Sequence, residues 1–317
     1  MKISIVGTGA LGGFYGGRLS AADLEVHCLC RSDYALIREQ GLRIIGPEGE
    51  WTAQPVAHDR PQSIGPCDAV FICLKSTAND QLSALLPPLI HEKTMLVMLQ
   101  NGLGNCERLA AEFGPDNVLG GLCFVCLNRV DPGVIHHLAF GKIVLGEFGR
   151  PPAARTHALA DMLRDAQVPC EIVENLEQGQ WEKLVWNIPF NGLGVAGTVG
   201  LDTLENPDAA LPAQLGKVLP TDRLLRDSRW ETWVRGLMEE IIATAQAKGL
   251  SIDPALPGKM IENTRAMGEY RASTLVDFER GQPLELESMF IEPLRQARAV
   301  GIAVPRMEAL CTVLKKL

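Results

Sequence analysis

The stretch that most constrains this chain is its first twenty residues, MKISIVGTGALGGFYGGRLS. A β-branched apolar run, KISIV, stops at Gly7-Thr8-Gly9-Ala10-Leu11-Gly12, and a helix-like stretch follows. Glycines at the first, third and sixth positions of such a turn serve three ends: a tight reversal, close approach of backbone to a pyrophosphate, and close packing of helix on strand. The free amides and positive dipole end of the following helix then face the phosphates. A second apolar run, EVHCLC, continues the pattern into a βαβ unit. Gly7, Thr8, Gly9, Ala10, Leu11 and Gly12 are therefore candidate dinucleotide contacts. At the end of the second run, where an NAD-specific protein would carry a carboxylate for the ribose hydroxyl, this chain has Arg31-Ser32, followed by Asp33. A guanidinium there suits a 2'-phosphate, so the expected cofactor is NADP(H).

Short apolar runs continue to alternate with helical stretches: DAVFICL, TMLVML and NVLGGLCFV read as strands, and PCEIV as the last of them. This alternation is the signature of parallel βαβ units covered by helices on both faces. Two insertions read as hairpins, one turning at Pro47-Glu48-Gly49 and one near Gly141. A helical stretch is expected from about Ala153 to Gln167. From Leu176 onward the period is helical, with helices expected at 177–190, 229–248, 286–300 and 306–316 and a loop-rich connection from Gly200 to Pro220. At 317 residues the chain exceeds the usual size of one core. The expected fold is α/β, an N-terminal dinucleotide-binding domain over residues 1–174 followed by an all-helical domain over 175–317.

The formal charge of -8, with no cluster of lysine and arginine, speaks against nucleic acid or an anionic membrane as partner. Nine scattered cysteines lie mostly in apolar runs, as reduced core thiols do, and Cys123 and Cys126 form a CxxC with no second pair to complete a metal site. Nowhere do 18 apolar residues run together, and the N-terminal apolar run is too short for a signal peptide. A cytoplasmic protein acting on a small molecule is expected. An apolar C-terminal helix could face either the core or a second copy, so a homodimer is one arrangement open to it.

In the second half, WEKLVWNIPFNGL sets Lys183, Asn187 and Asn191 four residues apart. On a helix these side chains share one face, rising about 6 Å per step. Leu184, Val185, Trp186 and Ile188 supply apolar surface to bury that stripe. Pro189 removes a donor to the Val185 carbonyl, so a bend is expected between the polar groups.

GTGALG, Arg31, Lys75 after FICL, QNGLGN at 100–105, the Lys183/Asn187/Asn191 stripe and STLVDFERGQPLELE at 273–287 occur in an order that resembles the ketopantoate reductase family. The resemblance spans nearly the whole chain. It implies a Rossmann-type NADPH domain joined to a helical domain, and reduction of 2-dehydropantoate to pantoate on the way to pantothenate and coenzyme A. It also implies that Lys183 is the catalytic lysine with Glu285 near it, that Lys75 and Asn101 line the nicotinamide end, and that Asn101, Asn187, Asn191 and Ser273 hold the substrate. No metal is implied. The chemistry suits an ammonium independently, since hydride addition to a ketone builds charge on the carbonyl oxygen that a lysine can stabilise and then protonate.

Two departures bear on the substrate. The 200–220 connection is longer than the family's link, and Leu201 stands where some members carry a further substrate asparagine. A reductase of a different 2-oxo acid is therefore the alternative. A β-hydroxyacid dehydrogenase is a second, although its lysine and asparagine are typically spaced three apart, and a non-catalytic NADPH-binding sensor is a third.

Overall fold

The computed structural model describes residues 1–317, which divide into two compact units, Met1–Glu177 and Gln178–Leu317. The first is a Rossmann-type α/β unit. Its strands are β1 (Lys2–Val6), β2 (Glu25–Leu29), β3 (Leu42–Gly46), β4 (Gly49–Ala53), β5 (Val56–His58), β6 (Ala69–Ile72), β7 (Met95–Met98), β8 (Val118–Asp131), β9 (Val134–Glu147) and β10 (Cys170–Ile172). They form one sheet in the order β4-β3-β9-β8-β7-β6-β1-β2-β5, with β10 also paired to β9. Neighbours from β8 through β7, β6, β1 and β2 to β5 run parallel, while β3–β4 and β8–β9 are antiparallel. The helices are α1 (Ala10–Ala21), α2 (Tyr34–Gln40), α3 (Leu82–Leu85), α4 (Asn105–Phe113) and α5 (Ala154–Asp165).

Because side chains alternate across a strand, the central strands feed two cores. Ile3, Ile5, Phe71, Val97 and Leu119 pack with Phe14, Tyr15 and Leu19 of α1 and Leu159 and Leu163 of α5. Val6, Val70, Ile72, Leu96, Met98 and Val118 pack on the other face with Leu82, Leu86, Cys106 and Leu109. Burial on both faces is why these runs read as continuously apolar. None of the nine cysteines is in a disulfide, and Cys123 and Cys126 are buried in β8, so the CxxC spacing belongs to a strand.

The hairpin at Pro47-Glu48 forms as its sequence predicts, pairing Gly46 with Gly49. The second expected hairpin does not. Residues 134–147 are one strand, and the chain reverses instead at Pro132-Gly133 to pair β8 with β9. Around Gly141 the register slips, with Phe124 opposite Lys142 but Val125 opposite Phe140. One extra residue in a strand is a bulge, and Phe140 at φ 62 and Gly141 at φ 139 supply its conformation. The bulge separates two uses of one edge: residues 134–136 of β9 pair with β3, and 143–145 pair with β10.

A buried carboxylate closes this end of the unit. Glu147 accepts bonds from Arg155 Nε and Nη2 (2.9 and 2.6 Å), Arg150 Nε (3.2 Å) and Thr156 Oγ1 (2.6 Å). Burial alone would raise its pKa, but these partners outweigh that and hold the carboxyl below its ordinary value.

The second unit is all helical: α6 (Leu176–Ala196, which starts at the last two residues of the first unit), α7 (Leu201–Glu205), α8 (Thr221–Arg226), α9 (Ser228–Ala247), α10 (Leu256–Ala266), α11 (Ser273–Glu279), α12 (Glu292–Ala299) and α13 (Pro305–Leu314). The 200–220 connection thus contains one short helix, α7, and is otherwise irregular. Buried Glu240 of α9 receives the Arg306 and Met307 amides at 3.0 and 2.9 Å, satisfying orphan donors at the start of α13. The helix expected over 286–300 opens with a π turn at Glu287–Ile291 before becoming α12. Pro293 offers no amide to the Met289 carbonyl, and a wider turn accommodates that gap. No helix is long and apolar enough to cross a membrane.

Candidate active site

The three glycines of the turn between β1 and α1 differ in what surrounds them. Gly7 has φ +98, and a Cβ there would sit 2.7 Å from the Leu74 amide nitrogen. A Cβ on Gly12 would lie 2.1 Å from the Gly7 carbonyl oxygen and 2.9 Å from side-chain atoms of Cys73 and Ile5. Gly9 is different, because nothing lies within 4 Å of where its Cβ would be. Gly7 and Gly12 are thus demanded by the protein's own packing, whereas Gly9 borders open space beside the first turn of α1. No side chain caps that helix, no acidic residue occupies its first turn, and Ala10 and Leu11 begin it. An anion such as a pyrophosphate fits the chemistry of this uncapped helix start. Thr8 holds the turn in place by donating from Oγ1 to the Leu29 carbonyl at the end of β2 (3.0 Å).

Arg31 follows β2, is exposed and makes no ion pair. Asp33 is buried and committed elsewhere. Its carboxylate receives Arg129 Nη2 at 2.6 Å, the Gly133 amide at 3.1 Å and Ser32 Oγ at 2.7 Å, tying the start of α2 to the β8–β9 hairpin. The carboxylate nearest Arg31 in sequence is a structural clamp rather than a candidate for a ribose hydroxyl. Lys75 is exposed beyond the carboxyl end of β6, and Asn101 is half-buried beyond that of β7. These two strands are parallel neighbours, and in open α/β sheets ligands bind outside such carboxyl ends.

In the second unit Lys183, Asn187 and Asn191 lie on successive turns of α6, which runs unbroken through Pro189. Trp186 fixes the helix. It donates from Nε1 to Thr264 Oγ1 (2.9 Å), and its ring lies 5.0 Å from that of Phe190 and 6.1 Å from that of Tyr270. Gly192 and Gly194 let Leu310 and Phe290, and Leu275, close on the helix where a Cβ would collide with them, and Gly197, just past its end, does the same for Leu219.

The two asparagines have different surroundings. Asn191 is 2% exposed, and its Oδ1 accepts the Thr274 amide at 3.1 Å and Ser273 Oγ at 3.5 Å, while its Nδ2 donates to the Asn187 carbonyl at 2.9 Å. It therefore caps α11, whose own N-cap is Ala272 and supplies no side-chain bond. Asn187 is 7% exposed, and its side-chain amide carries no hydrogen bond within the protein. Spacing alone treats the pair as equivalent; only the packing of α11 against α6 distinguishes them. Ser273 is exposed as the first residue of α11. Lys183 is half-buried, as is Glu285 just before the π turn. No group of three or more histidine, cysteine or acidic residues is arranged to hold a metal.

Residues 3–150 match the family described as Ketopantoate reductase PanE/ApbA, and residues 210–317 match Ketopantoate reductase PanE/ApbA C terminal. A 2-dehydropantoate 2-reductase of Nostoc sp. (strain PCC 7120) is 37% identical, covering 99% of this chain and 94% of the relative. The crystal structure of 2-dehydropantoate 2-reductase from Geobacter metallireducens GS-15 is similar with a TM-score of 0.90 at 41% identity, covering 100% of this chain and 99% of that one. The corresponding structure from Methylococcus capsulatus gives 0.86 at 31% identity, covering 100% and 96%.

Proposed function

The chain belongs to the ketopantoate reductase family, and from that premise we propose that it reduces 2-dehydropantoate to (R)-pantoate with NADPH, in the cytoplasm, as a step of pantothenate and coenzyme A biosynthesis. The observation that carries this reading is the polar face of α6, where Lys183 and the unengaged amide of Asn187 stand one turn apart on a helix fixed by Trp186. Residues 1–174 serve as the NADP-binding domain and 175–317 as the helical substrate and catalytic domain.

Gly9 and the first amides of α1 hold the pyrophosphate, Thr8 braces that turn, and Arg31 pairs with the 2'-phosphate. Lys75 and Asn101 line the nicotinamide end. The dinucleotide, when bound, supplies a hydride to the ketone carbon. As that carbon is reduced, charge grows on its oxygen, and the Lys183 ammonium stabilises the charge and donates the proton that completes the hydroxyl. The Glu285 carboxylate favours the charged form of the lysine and orients it. Asn187 donates to the substrate carboxylate and fixes which face of the ketone is presented, with Ser273 and the remaining N–H of Asn191 completing the contacts.

A second reading, reduction of a different 2-oxo acid, is favoured by Leu201. It opens α7 with its side chain buried, so no amide is offered at that position. Initial rates of NADPH oxidation with 2-dehydropantoate and with a panel of branched and hydroxylated 2-oxo acids separate the two. 2-Dehydropantoate should have the highest kcat/KM; a faster apolar analogue would favour the second reading. In Arg31→Ala the KM for NADPH should rise about tenfold while that for NADH stays constant. An unchanged preference would contradict the assignment of Arg31.

A further inference from the structure

Beyond the carboxyl ends of β6 and β7, three side-chain amides form a chain: Gln100 and Asn105 stand at the two ends of QNGLGN, and Asn79 lies outside every stretch that carries the family resemblance. Gln100 Nε2 donates to Asn79 Oδ1 at 2.8 Å, Asn79 Nδ2 donates to Asn105 Oδ1 at 2.8 Å, and Asn105 Nδ2 donates to the Asn101 carbonyl at 3.0 Å. Asn79 and Asn105 are 9% and 5% exposed. The direction of the chain is not arbitrary. A backbone carbonyl can only accept, so Asn105 must present its nitrogen to Asn101; its oxygen then requires the nitrogen of Asn79, whose oxygen requires the nitrogen of Gln100. The orientation of every amide follows from that one fixed acceptor, and Gln100 Oε1 is left buried without a partner at the far end.

We propose that Gln100, Asn79 and Asn105 are positioning residues that hold Asn101 and Lys75 in register with one another through this polarised relay. Asn79 lies in the 3-10 turn Ser76–Gln81, which begins with the Ala78 amide bonded to the Lys75 carbonyl at 2.9 Å. Asn105 opens α4 and reaches back four residues to Asn101, across a loop in which Gly102 and Gly104 have φ 89 and 83. That loop lacks the stiffness of a regular element, and the Asn79–Asn105 bond fastens it to the turn that follows Lys75. The inference rests on the proposed placing of Lys75 and Asn101 at the nicotinamide end.

Asn79→Asp tests the relay through its polarity. An ionised carboxylate cannot donate to Asn105 Oδ1, so the chain breaks; the protonated acid restores it, its O–H donating to Asn105 while its carbonyl oxygen accepts from Gln100. Burial raises a carboxyl pKa and brings that titration into a workable range. Relative to wild type at each pH, kcat of Asn79→Asp should fall about tenfold in alkaline buffer and recover as the pH approaches about 6, whereas Asn79→Ala should fall without recovering. In an Asn101→Ala background the further effect of Asn79→Ala on kcat should shrink to less than about twofold, because coupled residues are not additive. Asp80→Asn, which removes the exposed Arg108–Asp80 ion pair (2.8 Å) between the same two segments, should leave kcat unchanged. Melting curves confirm that each variant is folded under assay conditions. If Asn101→Ala alone leaves turnover unchanged, the site assignment fails and the relay with it. If Asn101→Ala impairs turnover but Asn79→Ala multiplies independently, or Asn79→Asp shows no recovery, the relay is overturned and the site assignment stands.

Discussion

Gly9, the N-cap of α1, and Gly12, in its first turn, are three residues apart, and their replacement by alanine should separate binding from folding. In Gly12→Ala the new methyl would lie 2.1 Å from the Gly7 carbonyl oxygen, a backbone atom in a turn that Gly7 itself holds at φ +98. The clash cannot be relieved by swinging a flexible side chain. Overpacking of this kind costs about 1 to 3 kcal/mol, and with backbone involved the upper end applies. The better helix propensity of alanine returns about 1 kcal/mol, leaving a net loss of about 2 kcal/mol. For a unit of this size that is a fall in Tm of about 4 to 8 °C. In Gly9→Ala the methyl meets nothing within 4 Å, and φ -82 with extended ψ is open to any residue. The only structural loss is that alanine is a poorer N-cap than glycine, less than about 1 kcal/mol. The same methyl occupies the space assigned to the pyrophosphate, so the Kd for NADPH should rise at least about tenfold. Calorimetric melting of both apoproteins and fluorescence titration with NADPH give the two readouts. Wild-type NADPH affinity in Gly9→Ala, or an unchanged Tm in Gly12→Ala, would refute the division of labour drawn from the loop.

The Glu147 cluster should give the first unit an acid-sensitive component of stability. Because its folded pKa is depressed, its contribution is present above the ordinary carboxyl value of about 4.3 and is lost as pH falls through the folded value. Glu147→Gln should therefore melt several degrees lower near neutrality and show a shallower acid limb; an acid limb as steep as that of wild type would contradict this. The two asparagines of α6 should also separate. Asn187→Ala should raise KM for the 2-oxo acid with Tm nearly constant, whereas Asn191→Ala, which frees the Thr274 amide at the start of α11, should lose about 1 to 3 kcal/mol of stability. Equal behaviour of the two variants in melting would contradict the cap.

What was legible in the sequence was what local pattern encodes. The alternation of apolar runs gave the parallel strands, and the glycine spacing gave the turn before α1, because each requirement falls within a few neighbouring residues. Gly141 misled for the same reason. A glycine between two apolar runs has one signature whether it turns a hairpin or bulges a strand, and only the partner β8 decides which. Asp33 reads as a carboxylate beside Arg31, yet its partner Arg129 lies 96 residues away. Asn191 reads as an equal of Asn187 until α11 arrives from residue 273 to use its amide. The relay through Asn79 and Asn105 joins two crossovers and has no periodicity to betray it.

The most direct test of the account is a parallel measurement on Lys183→Ala: the Kd for NADPH by titration, and kcat for 2-dehydropantoate-dependent NADPH oxidation. The account predicts a Kd within about twofold of wild type and a kcat reduced by about a hundredfold to ten-thousandfold, as expected when a positioned acid is removed. A Lys183→Ala enzyme that turns over within tenfold of wild type would contradict it.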